Sequence, residues 1–153
     1  MPSYWLMKSE PDECSISDVA NAPGHRVPWI GVRNYQARNY MRDQMRIGDG
    51  VLFYHSSCPE PGIAGLAEVA SKPYVDPSQF DRDSPYFDAK SPRDAARWFC
   101  VDVRALKKTR LMPIAEMQGA PALKKMWTLR PGNRLSITPV TAAEWKFICN
   151  RLR

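Results

Sequence analysis

The feature that most constrains the fold is a pair of apolar segments joined by a short turn. Residues 51–56 (VLFYHS) and 62–70 (GIAGLAEVA) are both apolar, and the five residues between them include two prolines. Runs of this length bounded by turn residues predict two strands that form a hairpin. The glycines of the second run indicate that another strand or a ligand approaches its backbone. The chain therefore builds a sheet around this hairpin.

Further strands and helices are predicted on both sides of the hairpin. Residues 4–8, 97–106 and 135–140 have the composition of strands. Ser15 with Asp18, and Thr141 with Glu144, have the spacing of capping boxes, which predicts that helices begin just after Ser15 and Thr141. This mixture predicts an α+β fold. We expect a curled sheet or small barrel with peripheral helices, in one domain spanning residues 1–153.

Residues 29–38 (WIGVRNYQAR) bring an indole to the start of a helix predicted over 34–46. Asn34 is a favourable N-cap, because its side-chain oxygen accepts a hydrogen bond from an unpaired amide of the first turn. Gly31 permits a positive φ or the close approach of a neighbour, and Pro28 restrains the residue before it to an extended conformation. A shaped loop therefore presents Trp29 either to the core or to a ligand.

The charge of the chain favours an anionic partner. The net charge is +6 and the isoelectric point is about 9.3, so nucleic acid is the first candidate. One stripe of the predicted helix consists of arginines at every fourth position: Arg38, Arg42 and Arg46. This stripe is either a solvated face or a surface that contacts the phosphates of a nucleic acid. No apolar run reaches the length of a membrane span and no secretory leader is evident. We therefore expect no membrane partner and a cytoplasmic location, on the nucleoid in a bacterium or in the nucleus of a eukaryote.

No motif in the sequence specifies catalysis or a metal. The G-x-S-x-G and H-E-x-x-H patterns are absent, and we expect no cofactor. His55, between Tyr54 and Ser56, is compatible with a general base, a ligand-orienting group or a core residue. The four cysteines have no C-x-x-C spacing, which favours reduced thiols over a zinc site or disulfides: Cys14, Cys58, Cys100 and Cys149.

Aromatic residues lie at predicted junctions of loops and strands. If the sheet curls, they converge on one rim, and their rings suit a nucleobase because every base has a face that can stack. Two of them, Tyr86 and Phe87, lie in an irregular insertion over residues 73–92, and insertions of this length are more often functional than not. The converging aromatic residues are Trp29, Tyr54, Tyr86, Phe87 and Trp98, and the polar residues available to read the edge of a base are Lys8, Ser9, Glu10, Asn34 and His55.

Five segments resemble the EVE domain family, and they occur in order along nearly the whole chain. They are residues 8–11 (KSEP), 29–38 (WIGVRNYQAR), 53–56 (FYHS), 61–65 (PGIAG) and 98–103 (WFCVDV). The resemblance implies a PUA-like fold, a mixed β pseudo-barrel with peripheral helices related to ASCH and YTH domains. It also implies the binding of modified bases in DNA or RNA.

The resemblance implies which residues bind the ligand, and it leaves open whether Trp98 lines the pocket or the core. The predicted ligand-binding residues are Lys8, Ser9, Glu10, Trp29, Asn34, Tyr54, His55, Ile63, Tyr86 and Trp98. The residues predicted to contact phosphates are Arg33, Arg38 and Arg42. The function predicted is a non-enzymatic nucleic-acid-binding module that reads a modified base, such as a methylated cytosine, while a separate effector protein acts on it. The alternative is an enzyme acting on a modified nucleobase or nucleoside, as in ASCH-like relatives.

Overall fold

A six-stranded mixed sheet forms the centre of the molecule, which a computed structural model describes over residues 2–152. The strands of this sheet lie in the order β2-β7-β4-β3-β1-β8, and all neighbours are antiparallel except β1 and β3. A separate ribbon pairs β5 with β6. In chain order the strands are β1 (Tyr4–Ser9), β2 (Arg26–Pro28), β3 (Gly50–His55), β4 (Gly62–Val69), β5 (Tyr74–Val75), β6 (Phe99–Cys100), β7 (Asp102–Pro113) and β8 (Ile137–Val140).

The predicted hairpin is confirmed as β3 and β4, which pair antiparallel with a bulge after Phe53. Residues 50–54 of β3 are all buried, because both faces of the sheet are covered. Alternate side chains therefore belong to two different cores. Phe53 packs in the first core with Trp5 and Trp29, whereas Tyr54 packs in the second with Leu6.

The predicted capping boxes and the N-cap are confirmed. The Oγ of Ser15 accepts from the amide of Asp18 at 3.1 Å, and the Asp18 carboxylate accepts from the amide of Ser15 at 2.8 Å. Thr141 and Glu144 make the same reciprocal pair. The helices are α1 (Ile16–Asn21), α2 (Tyr35–Asn39), which continues as a π-helical turn over Tyr40–Gln44, α3 (Ile114–Gln118) and α4 (Ala142–Arg151).

The bounds predicted for the strand at residues 97–106 were wrong. Residues 99–100 belong to the small ribbon, and the long strand β7 begins at Asp102 and continues to Pro113. The change of partner occurs at Val101, whose carbonyl accepts from the amide of Trp29 at 2.8 Å. Beyond 106 the strand continues because β4 supplies backbone partners as far as Gly62.

The predicted α+β fold is confirmed by this mixed sheet with helices at its periphery. The insertion over 73–92 is irregular, apart from β5 and a short 3₁₀ turn over Pro77–Phe80. Within residues 2–152, the helices are all too short or too polar to cross a membrane.

Candidate base-binding cleft

A cleft of about 740 Å³ opens at the end of β1, between the loop that follows β2 and the loop that leads into β8. Its volume lies within the range of roughly 300–1,000 Å³ that is usual for small-molecule sites. The lining residues come from five parts of the chain: Lys8, Ser9, Glu10, Glu13 and Cys14; Val27 to Arg33; Ser56 and Ser57; Tyr86; and Arg134 and Ser136.

Trp29 forms a fixed wall of the cleft. Its side chain meets the ring of Phe53 edge to face, with 5.4 Å between ring centroids, and the residue is only 7% exposed. The amide of Trp29 donates to the carbonyl of Val101, which continues the pairing of β2 with β7 by one residue. The indole therefore serves both interpretations offered by the sequence, since it packs in the first core and also lines the cleft.

Gly31 and Tyr86 form a second wall. Gly31 has φ +84°, and a β-carbon at this position would lie 2.7 Å from three carbons of the Tyr86 ring. Both properties predicted for this glycine, a positive φ and a close neighbour, are therefore present. The hydroxyl of Tyr86 donates to the carboxylate of Glu13, which connects the insertion to the loop after β1. Burial, and then this hydrogen bond, raise the pKa of Tyr86 to about 12.

A buried carboxylate holds this second wall in place. Asp76 is fully buried and accepts from the amide of Gly31 at 2.9 Å, from the amide of Ser78 at 2.8 Å and from the guanidinium of Arg33 at 3.2 Å. The same guanidinium donates to the carbonyl of Tyr86 at 2.6 Å. Arg33 therefore links the loop after β2 to the insertion, and its charge is neutralised inside the protein.

The end of β1 supplies polar groups to the cleft. The Ser9 hydroxyl donates to the carbonyl of Cys14 at 2.7 Å, which fixes the turn that follows the strand. Burial lowers the pKa of Lys8. Burial, with the nearby carboxylates of Asp18 and Glu13, raises the pKa of the Cys14 thiol. The rim thus presents an ammonium group, a hydroxyl and the exposed carboxylate of Glu10.

Six of the predicted site residues line this cleft together. They come from the end of β1, the loop after β2 and the insertion: Lys8, Ser9, Glu10, Trp29, Arg33 and Tyr86. Their roles in binding stay predictions, but the fold does bring them to one place.

The other predicted ligand-binding residues lie elsewhere, so their assignment stays a prediction that the geometry does not support. Tyr54, 3% exposed, and Ile63 are buried in the second core, because adjacent residues of a strand point to opposite faces. His55 accepts from the amide of Ile16 at 3.2 Å through Nε2 and lines a second hollow. Asn34 uses its side-chain oxygen to cap α2.

Trp98 lies behind the cleft wall rather than on it. Its ring stacks on Tyr35 at 4.8 Å between centroids, and its indole N–H donates to Asp88 at 2.7 Å. The Arg33 guanidinium lies 5.3 Å from the ring centroid. Trp98 is only 6% exposed and does not line the cleft, so its assignment as a ligand-binding residue stays a prediction that the geometry does not support.

Arg38 and Arg42 lie on α2 and its π-helical turn, away from the cleft lining. The guanidinium of Arg38 donates to the carbonyl of Arg97 at 2.9 Å, and that of Arg42 pairs with Asp43 at 2.8 Å. Their contact with phosphates also stays a prediction, since both side chains already have partners within the protein.

Sequence reasoning missed several residues of the site. Glu13 and Arg134 line the cleft, and Asp76 orders its second wall, but none of them belongs to a motif that marks a ligand site. The one available signal for Asp76 was its position before Pro77, since Asp followed by Pro favours a turn. Over residues 2–152, no three His, Cys, Asp or Glu side chains converge in a way that would hold a metal ion.

This fold is PUA-like, and the chain belongs to the EVE domain family. The EVE domain family model matches residues 3–151. Human thymocyte nuclear protein 1 is 40% identical over 167 residues, an alignment that covers 97% of this chain and 73% of the human protein.

Two solved structures are similar over nearly their whole length. One is a protein from Pseudomonas syringae, with TM-score 0.93 and 43% identity, covering 98% of this chain and 99% of that one. The other is human THYN1 protein in complex with 5-methylcytosine containing DNA, with TM-score 0.90 and 39% identity, covering 97% of this chain and 96% of that one.

Proposed function

We propose that this chain is a nucleic-acid-binding module that takes a modified base, such as a methylated cytosine, into the cleft between β1 and the loop after β2. The observation that carries the proposal is the pair of rigid walls at Trp29 and Tyr86 beside the polar end of β1. The complex of human THYN1 with DNA containing 5-methylcytosine supports it, because that protein shares this fold at 39% identity.

The aromatic walls favour affinity, and the polar groups favour selectivity. Stacking is similar for every base, since each has a π-face. A methyl group buries about one CH₂ equivalent, roughly 0.8 kcal/mol, which corresponds to about fourfold preference over the plain base. Discrimination between cytosine and thymine requires contacts to the edge of the base. Glu10 is suited to this role, because a carboxylate accepts from the exocyclic amino group of cytosine.

We propose that binding involves no turnover. Catalysis would need a nucleophile with a base and an orienting group close by. The only histidine beside the hairpin, His55, accepts a backbone amide and lines the second hollow rather than the cleft. The Cys14 thiol lies in the cleft, but its raised pKa keeps it protonated at neutral pH, so it is a poor nucleophile. A separate effector protein would then act on the recognised base, on the nucleoid of a bacterium or in the nucleus of a eukaryote.

The test is a titration with matched oligonucleotides that differ at one position, which holds 5-methylcytosine, cytosine or thymine. We expect the 5-methylcytosine strand to bind about fourfold more tightly than the cytosine strand, the thymine strand to bind more weakly than the 5-methylcytosine strand, and mass analysis after incubation to find every strand unaltered. Equal affinity for the three strands would reject base reading. Time-dependent conversion of a strand would favour the enzymatic alternative.

A matched pair of variants separates the edge contact from general charge. Glu10→Gln and Glu60→Gln each remove one exposed carboxylate, but only Glu10 lines the cleft. We expect Glu10→Gln to reduce the preference for 5-methylcytosine over thymine, and Glu60→Gln to change the affinity for both strands equally. The same effect from both variants would remove Glu10 from the reading of the base.

A further inference from the structure

The positive charge of the chain is concentrated in its last third. Residues 1–102 contain 11 Lys or Arg and 14 Asp or Glu, whereas residues 103–153 contain 11 Lys or Arg and only 2 Asp or Glu. No acidic residue occurs between Glu116 and Glu144. Residues 103–153 therefore carry the whole net positive charge, whereas residues 1–102, which include α2, have a slightly negative net charge.

The pairing of the arginines follows the same division. Within residues 2–152, ion pairs neutralise Arg26, Arg33, Arg42 and Arg97 in the first part of the chain. In the later part they involve only Arg104 and Arg110. None of these pairs includes a side chain from residues 124–134, which we call the basic segment. Its cations are all exposed: Lys124, Lys125, Arg130 and Arg134.

The basic segment runs directly to the cleft. Arg134 is itself a lining residue, and the carbonyl of Ser136 accepts from the amide of Lys8 at 2.8 Å. A hydrogen bond of 2.6 Å between the hydroxyls of Thr128 and Thr138 attaches the basic segment to β8. The segment is therefore held beside the end of β1, where the polar groups of the cleft are.

An exposed indole orients one of these cations. Trp127 is 36% exposed, and the guanidinium of Arg130 lies 3.9 Å from its ring centroid. A guanidinium held over an aromatic ring keeps its N–H groups, which lie in the plane of the guanidinium, free to donate to other groups. Phosphate oxygens are the acceptors that this planar set of donors fits best.

We propose that the basic segment binds the phosphates of the strand whose base enters the cleft, with Arg134 at the rim and Arg130 further along the segment. This inference rests on the proposed function, because it takes the cleft as the position of the base. The occupant is a nucleic-acid backbone, since the segment offers several free cations and no carboxylate. The stripe of Arg38 and Arg42 is the competing surface.

The test compares variants that each remove one positive charge: Arg130→Gln and Arg134→Gln in the basic segment, and Arg42→Gln as the matched control. Binding of matched 5-methylcytosine and cytosine oligonucleotides is measured at several salt concentrations. For each segment variant we expect the log–log salt slope to fall by about 0.9 on duplex or about 0.7 on a single strand. The affinity for both strands should fall by the same factor, because phosphate contacts do not depend on the identity of the base. Arg42→Gln should leave the slope unchanged.

Different outcomes separate the two proposals. Unchanged slopes for Arg130→Gln and Arg134→Gln, with the unsubstituted chain still preferring the methylated strand, would overturn the basic segment alone. A reduced slope for Arg42→Gln instead would assign the phosphates to the α2 surface. If the unsubstituted chain binds both strands equally but the segment variants still lower the slope, base reading fails while the phosphate-binding surface stands. Thermal unfolding of each variant checks that these exposed substitutions leave the fold intact.

Discussion

The ring of Tyr86 lies so close to Gly31 that a β-carbon on the glycine would come within 2.7 Å of three ring carbons. The two residues are 55 positions apart in the sequence, and the side chains of Asp76 and Arg33 hold them together. One wall of the cleft therefore depends on the absence of a single carbon atom at position 31.

Replacement of Gly31 by alanine should weaken both the fold and the site. A positive φ costs an L-residue about 1–2 kcal/mol, and the new methyl group also displaces the Tyr86 ring. Gly48→Ala is the matched control, because Gly48 has φ +94° with nothing within 4 Å of its virtual β-carbon. We expect Gly48→Ala to lower the free energy of unfolding by about 1–2 kcal/mol with no change in affinity, and Gly31→Ala to lower both. Denaturant unfolding and oligonucleotide titration measure the two effects, and equal affinities would show that Tyr86 does not shape the site.

Trp29 should contribute to binding through its face. Stacking on an aromatic side chain is worth roughly 1–3 kcal/mol by alanine substitution, or about five- to 150-fold in affinity. Trp29→Leu retains more core volume than alanine and removes the π-face, so we expect a loss within this range for methylated and plain strands alike. Trp98→Leu, at a tryptophan equally buried but outside the cleft, controls for lost packing. Equal affinities of the two variants would remove Trp29 from the site.

His55 should make the free energy of unfolding depend on pH. It should have no effect on turnover, because no turnover is expected. Burial, and then the charge of Lys108, lower the pKa of His55 below its ordinary value of 6.5. Its Nε2 accepts from the amide of Ile16, which only the unprotonated ring can do. The folded state therefore binds fewer protons than the unfolded state, and the free energy of unfolding should fall as the pH drops below about 6.5.

Chemical denaturation between pH 7.5 and 5 measures this dependence. His55→Ala should be less stable at neutral pH and should flatten the slope below pH 6.5. A slope that persists in His55→Ala would assign the dependence to other groups.

The hydroxyl of Tyr86 should ionise only at high pH, and its neutral form should stabilise the fold below that pH. Its pKa of about 12 in the folded protein exceeds the ordinary value of 10. The contribution to stability is therefore complete below pH 10 and is lost as the pH rises through 12. The ultraviolet difference spectrum between the unsubstituted chain and Tyr86→Phe reports the ionisation. Glu13→Gln should lower the midpoint only in part, because burial is the larger cause. A midpoint near 10 in the unsubstituted chain would contradict the bond to Glu13.

The sequence by itself determined the local elements of this protein. The β3–β4 hairpin, the two capping boxes and the Asn34 cap all depend on residues that are near one another in the sequence. Interactions over so short a range leave their pattern in the sequence. The mixture of predicted strands and helices indicated the α+β class, and the resemblance to the EVE domain family, which extends over nearly the whole chain, indicated the PUA-like fold.

Only the tertiary structure decided which side chains share the cleft. Neighbouring residues of β3 point to opposite faces, so Phe53 supports Trp29 from the first core while Tyr54 is buried in the second. The antiparallel pairing of β8 with β1 brings Arg134 and Ser136 beside Lys8, more than 120 residues away in the chain. Asp76 and Glu13 acquire their roles through partners that are distant in sequence. Because both faces of β3 are buried, its sequence has no alternation of apolar and polar residues that would assign each side chain to a face. The partners of the other side chains come from distant parts of the chain, which a local pattern does not identify.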